Sequence, residues 1–405
     1  MSPDCLPKGF RFGAAACQIK PSGKPDIGIV IADGPSVAAG VYTQNKMLAA
    51  PVLLCQQRTP SNTVRAVVTN SGNANACTGR RGMEDANAIA RQVAERLGCD
   101  PMQVLVMSTG IIGVPLPMGC VARGIDQALL SPQPGVDSFM AAAEGILTTD
   151  QATKTAGHTF CVGDQEYRVA GMAKGAGMIA PNMATMLATV MTDFPLSQDR
   201  AQAAIHRAAQ HSFNCISVDG HASTNDTLLL LSSHPVETDG DPSVEESEIL
   251  AAGFGEFEKV LTQVCEYLAR RIVLDGEGAG RIFEINIGGA TNDGDARAIA
   301  DTVANSNLVK TAIHGCDPNW GRIMSAVGNA AADVELSRCS LKINDQLVFE
   351  NGAPVSFDAV GVSDSMRNTD TVMLDIVVGD ATGTSTVWAS DLGIDYVTFN
   401  SEYTT

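Results

Sequence analysis

One stretch of this 405-residue chain gathers residues able to do chemistry: Gly171-Met-Ala-Lys174-Gly-Ala-Gly-Met-Ile-Ala-Pro181-Asn-Met-Ala184-Thr185-Met-Leu-Ala. Glycines and small residues crowd Lys174 and allow positive φ and close backbone approach. Pro181 turns Ala180 away from helical conformation. The spacing predicts a tight loop that hands Thr185 to a buried strand over 186–191. A threonine at the head of an interior strand suits a nucleophile that becomes a new N-terminus, because a freed α-amine can serve as base for its own hydroxyl. A nearby Lys174 ammonium would lower the pKa of that amine and enlarge its neutral fraction.

Other polar groups must be set against this stretch. Ser108-Thr109-Gly110 follows an apolar run over 104–107, and a glycine turn at a strand end is where backbone N–H groups point into a site. Alone, the tripeptide also fits a plain strand-to-loop turn. Asn70-Ser-Gly-Asn-Ala-Asn ends another apolar strand and reads either as a polar pocket wall or as an Asx-type turn. Asp219, His221 and Asp226 lie in a Gly/Ser/Asn loop, where a lone histidine is more often a hydrogen-bonding turn residue than a metal ligand. Asp275-Gly-Glu277-Gly-Ala-Gly280 closes a helix instead of following a strand, the wrong order for a dinucleotide loop. A Walker phosphate loop is likewise excluded, since Lys174 precedes its glycine and no Ser or Thr follows.

The elements that must position these groups alternate between strand and helix. Strands are expected over 10–19, 27–31, 37–43, 64–69, 104–107, 186–191 and 227–231, with a hairpin of 160–162 and 167–170 across Gly163-Asp164. A helix over 83–97 has Ala86, Ile89, Ala90, Val93, Ala94 and Leu97 on one face and Gly98 as its stop. Further helices are expected over 118–130, 137–146, 197–211, 242–274 (interrupted near Gly253 and Gly255), 295–304 and from about 317 to 327. The last part is strand-rich, over 281–287, 340–343, 346–349, 371–378 and 383–391. The fold class is therefore α/β with an α+β end, and 405 residues call for two or three subdomains.

Bulk composition narrows the partners. Hydrophobic content of 45% and charged content of 18% describe a packed globular protein. The net charge of −18 speaks against nucleic acid and anionic membrane surfaces, which need clustered Lys and Arg. No apolar run reaches the roughly 20 residues of a membrane span. The opening residues lack a basic segment followed by an apolar one, so the cytoplasm is the expected location. The 11 cysteines are scattered singly and the histidines number 6, so neither a disulfide framework nor a zinc site is expected, and most thiols read as small buried hydrophobes.

The run from Lys174 to Ala188 resembles the self-cleavage segment of the ornithine acetyltransferase (glutamate N-acetyltransferase) family of arginine biosynthesis. Thr148-Thr-Asp, Ser223-Thr-Asn-Asp and Asp317-Pro-Asn-Trp-Gly-Arg, with the Asn70, Ser108 and Asp275 stretches above, extend the resemblance over nearly the whole chain. It implies a self-processing, N-terminal-nucleophile-like layered fold with a smaller C-terminal α+β subdomain over about 281–405. Cleavage between Ala184 and Thr185 would give chains 1–184 and 185–405, paired as α2β2. The implied activity is ping-pong acetyl transfer from N2-acetylornithine to glutamate on Thr185, without a bound cofactor; some members also use acetyl-CoA as co-substrate. Thr109 and Gly110 would hold the oxyanion, and Thr148, Lys174, Thr185, Glu277, Asn400 and Thr405 would bind substrate, with the register between Thr148 and Thr149 open. A second reading keeps Thr185 but passes the acyl group to water, as an amidohydrolase or aminopeptidase would. A third, a non-catalytic anion-binding protein, predicts an intact chain.

Overall fold

The computed structural model describes residues 5–180, 186–234 and 244–402, with only the helical backbone of 244–251. Its first sheet is formed by β1 Phe10–Ala15, β2 Ile27–Tyr42, β3 Ser61–Asn73, β4 Val104–Ile111, β5 Lys154–Val162, β6 Gln165–Lys174 and β7 Leu187–Thr192, with β8 Ile216–Ser217 leaving it and β9 Thr227–Ser232 returning to its centre. The order across the sheet is β4-β3-β2-β9-β7-β6-β5, with β1 against β2. The neighbours β3 and β4 are parallel, as are β7 and β9, and the sheet is mixed.

Helices cover both faces, and the strand sequences require it. Leu228, Leu229, Leu230 and Leu231 of β9 are all fully buried, a continuous apolar run instead of an alternating one. Successive side chains point to opposite faces. Leu229 and Leu231 accordingly join the core under α1 Ala50–Arg58, α2 Gly79–Leu97, α3 Met118–Ala128 and α4 Val136–Gly145. Leu228 and Leu230 join the opposite core under α5 Gln198–Gln210 and α6 Val244–Leu274.

A second sheet carries the C-terminal part: β10 Ile282–Ala290, β11 Ser340–Ile343, β12 Gln346–Glu350, β13 Ala353–Pro354, β14 Thr371–Val377 and β15 Gly383–Ser390. Its order is β13-β12-β11-β14-β10-β15-β8, so β8 contributes an edge from the earlier part of the chain. It has its own core around Phe283, Ile285, Leu341 and Leu374, closed by α7 Asp293–Ala304, α8 Asn307–His314, α9 Trp320–Gly328 and α10 Ala359–Arg367. The last element, α11 Ile394–Glu402, follows the sheet.

Several expectations are corrected. The strand expected over 10–19 stops at Ala15, because the amides of Cys17, Ile19 and Lys20 turn inward to the buried Asp26 carboxylate at 2.8, 2.7 and 3.2 Å. The segments 27–31 and 37–43 are one strand, with the intervening residues taken up as a register shift between Ile31 and Ser36. The helix over 244–274 is not interrupted. Gly253 serves close packing there, since a Cβ would lie 2.5 Å from Val162 and 2.9 Å from Phe194. Cys17, Cys55, Cys215, Cys265, Cys316 and Cys339 are buried as read, whereas Cys77 and Cys161 are exposed. The helices α1, α8, α10 and α11 are additional to the sequence reading. No helix among the described residues is long and apolar enough to cross a membrane.

Candidate active site

The site lies where strand ends of the first sheet meet the loop after α6 and the final helix. Strand β6 ends at Lys174 and pairs there with Leu187 of β7, so 175–186 is the connection between two adjacent strands. Strand β4 brings Thr109 and Gly110 to the same edge. Gly110 has φ +131°, and a Cβ there would sit 2.2 Å from the backbone of Gly72, so only glycine fits. A cavity of about 370 Å³ opens here, lined among others by Thr109, Gly110, Thr148, Thr149, Lys174, Glu277 and Asn400.

Behind this wall the polar loop of β3 is a support. Asn70 Nδ2 donates to Asn73 O at 2.8 Å and its Oδ1 accepts from Ser108 Oγ at 2.6 Å. Asn225 Nδ2 ties Ala74 O and Ser108 O together at 2.6 and 2.8 Å. The Asn70 side chain thus serves the turn reading, and Ala74 and Asn225 from these loops reach the cavity lining.

Lys174 is buried at the site, 3% exposed, and its Nζ donates to Thr109 Oγ1 at 3.0 Å. Burial lowers its pKa, and the Asp150 carboxylate opposes that most strongly. Asp226, fully buried, accepts the amide of Met186 at 3.1 Å, and burial pushes its carboxyl well above the usual range. Asp219 accepts from the amides of Met178 and Ile179 at 2.7 and 2.9 Å and so holds the loop after Lys174 in place. Met178 there has φ +58°. Among the described residues no cluster of His, Cys, Asp and Glu could hold a metal ion.

Glu277 closes the opposite side. Its amide donates to Ala176 O at 2.8 Å, and its Oε1 accepts from Thr149 Oγ1 at 2.7 Å. Burial raises its pKa, countered by hydrogen bonds from Thr149 and Asn400. A Cβ on Gly177 would fall 2.2 Å from Glu277 Oε2, so the glycine leaves room for this carboxylate. Asn400 is carried by α11, whose Tyr396 also lines the cavity and hydrogen-bonds Asp219 at 3.4 Å. Gly278, with φ +67°, lets the Glu277 loop pass against the Tyr396 backbone.

The structure thus brings Thr109, Gly110, Thr148, Lys174, Glu277 and Asn400 to one cavity. Ala184, Thr185 and Thr405 lie outside the described residues. Both Thr148 and Thr149 line the cavity, and Thr149 directs its hydroxyl to Glu277. Tyr396 and Asp219 are lining residues that the sequence reading did not assign to substrate. Asp219 carried a signal, a carboxylate flanked by glycine within a polar loop; Tyr396 carried none.

A model of the ArgJ family matches residues 11–405. The arginine biosynthesis bifunctional protein ArgJ of Rhodopirellula baltica is 51% identical over 99% of this chain and 96% of its own length, and that of Geobacter sulfurreducens is 46% identical over 98% and 99%. Among solved structures, ornithine acetyltransferase complexed with ornithine from Mycobacterium tuberculosis is 38% identical over 45% of this chain and 95% of that one, with a TM-score of 0.41. With a family match over nearly its whole length and relatives at this identity, the chain belongs to the ArgJ family.

Proposed function

We propose that the protein is a self-processing acetyltransferase of arginine biosynthesis, moving an acetyl group from N2-acetylornithine to glutamate through an ester on Thr185. The observation that carries this reading is the Lys174–Thr109 contact at the head of one cavity that also holds Gly110, Thr148, Glu277 and Asn400. In maturation, Thr185 Oγ attacks the Ala184 carbonyl carbon. The C–N bond breaks, a C–O bond forms, and the hydroxyl proton ends on the released amine. Water then hydrolyses the ester, giving an Ala184 carboxylate and a free Thr185 hydroxyl. Chains 1–184 and 185–405 stay together because β6 of one pairs with β7 of the other along its length. Their further pairing into α2β2, and residence in the cytoplasm, belong to the same proposal.

In turnover the α-amine takes the Thr185 hydroxyl proton while the oxygen attacks the acetyl carbonyl. Thr109 O–H and the Gly110 amide face the oxyanion, a contribution of about 3–4 kcal/mol for one such donor. Glu277 suits the ammonium end of the donor. Ornithine leaves with its amine protonated, and the glutamate amine then takes the acetyl group from Thr185. No bound cofactor is needed. Acetyl-CoA is an alternative acetyl source for the same acyl-enzyme, in keeping with the bifunctional names of the relatives.

The test is the intact mass of denatured wild type beside Thr185→Ala, followed by labelled acetyl transfer. Two fragments that part before Thr185 in wild type, one chain in the variant, and label recovered on glutamate support the proposal. An uncleaved wild type, or label recovered only as acetate, refutes it.

A further inference from the structure

Asp150 is a buried carboxylate that the transfer chemistry above leaves without a part. Its side chain is fully enclosed. It accepts from Thr148 N at 2.9 Å, Gly175 N at 2.7 Å and Lys154 Nζ at 2.6 Å. Lys154 Nζ also donates to Asp275, two residues before Glu277. Three stretches that line the cavity, those of Thr148, Lys174 and Glu277, therefore meet at one carboxylate–lysine–carboxylate chain. A clamp would need only these hydrogen bonds. The charges impose something more.

Lys174 Nζ lies 3.0 Å from Thr109 Oγ1. An ammonium has three donors and no acceptor, so Thr109 Oγ1 must accept, and the hydroxyl's own proton is left to point elsewhere. A neutral amine has a lone pair and would draw that proton to itself. The groups facing Lys174 decide between the two. Burial favours the neutral amine and Lys154 works in the same direction; Asp150, then Asp226 and Glu277, favour the ammonium. Lys20 adds a further positive group near this network.

We propose that Asp150 is a positioning residue of acetyl transfer: its carboxylate keeps Lys174 a donor-only partner of Thr109 Oγ1 and so directs the Thr109 hydroxyl proton into the cavity, where the acetyl carbonyl oxygen gains charge. The inference rests on the part given to Thr109 in the proposed function.

The experiment compares wild type with Asp150→Asn, Asp150→Glu, Thr109→Ala and the Asp150→Asn/Thr109→Ala pair. Transfer rates are followed from about pH 6 to about pH 9, each expressed relative to its own Asp150 parent. In Asp150→Asn the relative rate falls by about 10-fold or more as pH rises, since Lys174 gives up its proton earlier. Asp150→Glu stays flat, and the pH-dependent loss disappears in the Thr109→Ala background. A flat Asp150→Asn ratio leaves a clamp alone and overturns the proposal, as does a loss that persists without Thr109. Should Asp150→Asn fail to fold, the Cε resonance of Lys174 in wild type, assigned through Lys174→Met, decides. It reports an ammonium at about pH 7 if the proposal holds and a neutral amine if it does not. Wild type without any transfer would sink the proposed function, and the resonance would still report whether Lys174 is the donor-only partner that the inference requires.

Discussion

The wall of the cavity that carries Thr109, Gly110 and Lys174 ends strands of a sheet covered on both faces, whereas the wall that carries Glu277, Tyr396 and Asn400 is a loop and a short terminal helix. On the first wall Thr109 and Lys174 are 4% and 3% exposed and their partners are buried in turn. On the second, α11 buries none of its residues, and Ile394 at its head is 80% exposed. Buried strand ends hold atoms to the tolerance that bond-making demands. A helix that buries none of its residues opens at lower cost. Under the proposed function, reaction chemistry falls to the sheet and substrate selection to the Glu277 loop and the terminal helix.

The comparison breaks first at Thr109. Thr109→Ala removes the hydroxyl donor and leaves Lys174 without its acceptor, and transfer should fall by about 10²–10³ in kcat with KM for the donor little changed. Steady-state kinetics on fully cleaved enzyme checks this. A fall confined to KM would move Thr109 to the substrate-selecting wall. Glu277→Gln makes the converse demand. A hydrogen bond to a charged group is worth about 1.5–3 kcal/mol, so donor KM should rise by about 10- to 100-fold while kcat holds. Because burial raises the Glu277 pKa, the carboxyl takes up its proton at higher pH than a free glutamate does. Donor KM should therefore climb in wild type as pH falls through that range, and Glu277→Gln should lack the climb.

The same contrast explains what could be read from sequence. The strand pattern, the 83–97 helix and the cluster around Lys174 announce themselves through apolar runs and glycine spacing, because both local and tertiary forces point the same way. Gly110 was legible as a turn, and its close approach to Gly72 was not, since that contact joins neighbouring strands. Asp150 stood in view beside Thr148 and Thr149, and Lys154 four residues on, yet its hydrogen bond with the Gly175 amide depends on the pairing of Lys154 with Ala173 between β5 and β6. Helix α11 had no apolar periodicity to offer because it buries no face. Its start after Asp391-Leu-Gly393 carries no side-chain cap pattern, and Tyr396 was therefore missed. In α10 a signal was present: Asp358 Oδ1 accepts the Gly361 amide at 3.0 Å, an N-cap readable as Asp three residues before glycine.

The buried wall also answers to acid. Burial alone would raise the Asp150 pKa; Lys154, Lys174 and the hydrogen bonds from Lys154 and Gly175 outweigh it and hold the carboxyl at about 2. A folded-state pKa below the unfolded value stabilises the fold above the unfolded pKa and is lost as pH falls through the folded one. The contribution is about 2 kcal/mol, present above about pH 4 and lost toward about pH 2. Urea unfolding across that window should show the decline in wild type, and Lys154→Met should reduce it.

The smallest effect tests the exposed wall. Tyr396 hydrogen-bonds Asp219 at 3.4 Å, a long contact at a half-buried site, and its ring lines the cavity. Tyr396→Phe keeps the ring and removes only the hydroxyl, so stability should change by less than about 0.5 kcal/mol. Donor KM should rise no more than about 3-fold, since the bond to the Asp219 carboxylate is at the limit of hydrogen-bond reach and is made within the protein. Thermal melts and donor titrations measure both. A loss in kcat comparable to that of Thr109→Ala would mean that the terminal helix takes part in the bond-making step, and the division between a chemical wall and a selecting wall would have to be abandoned.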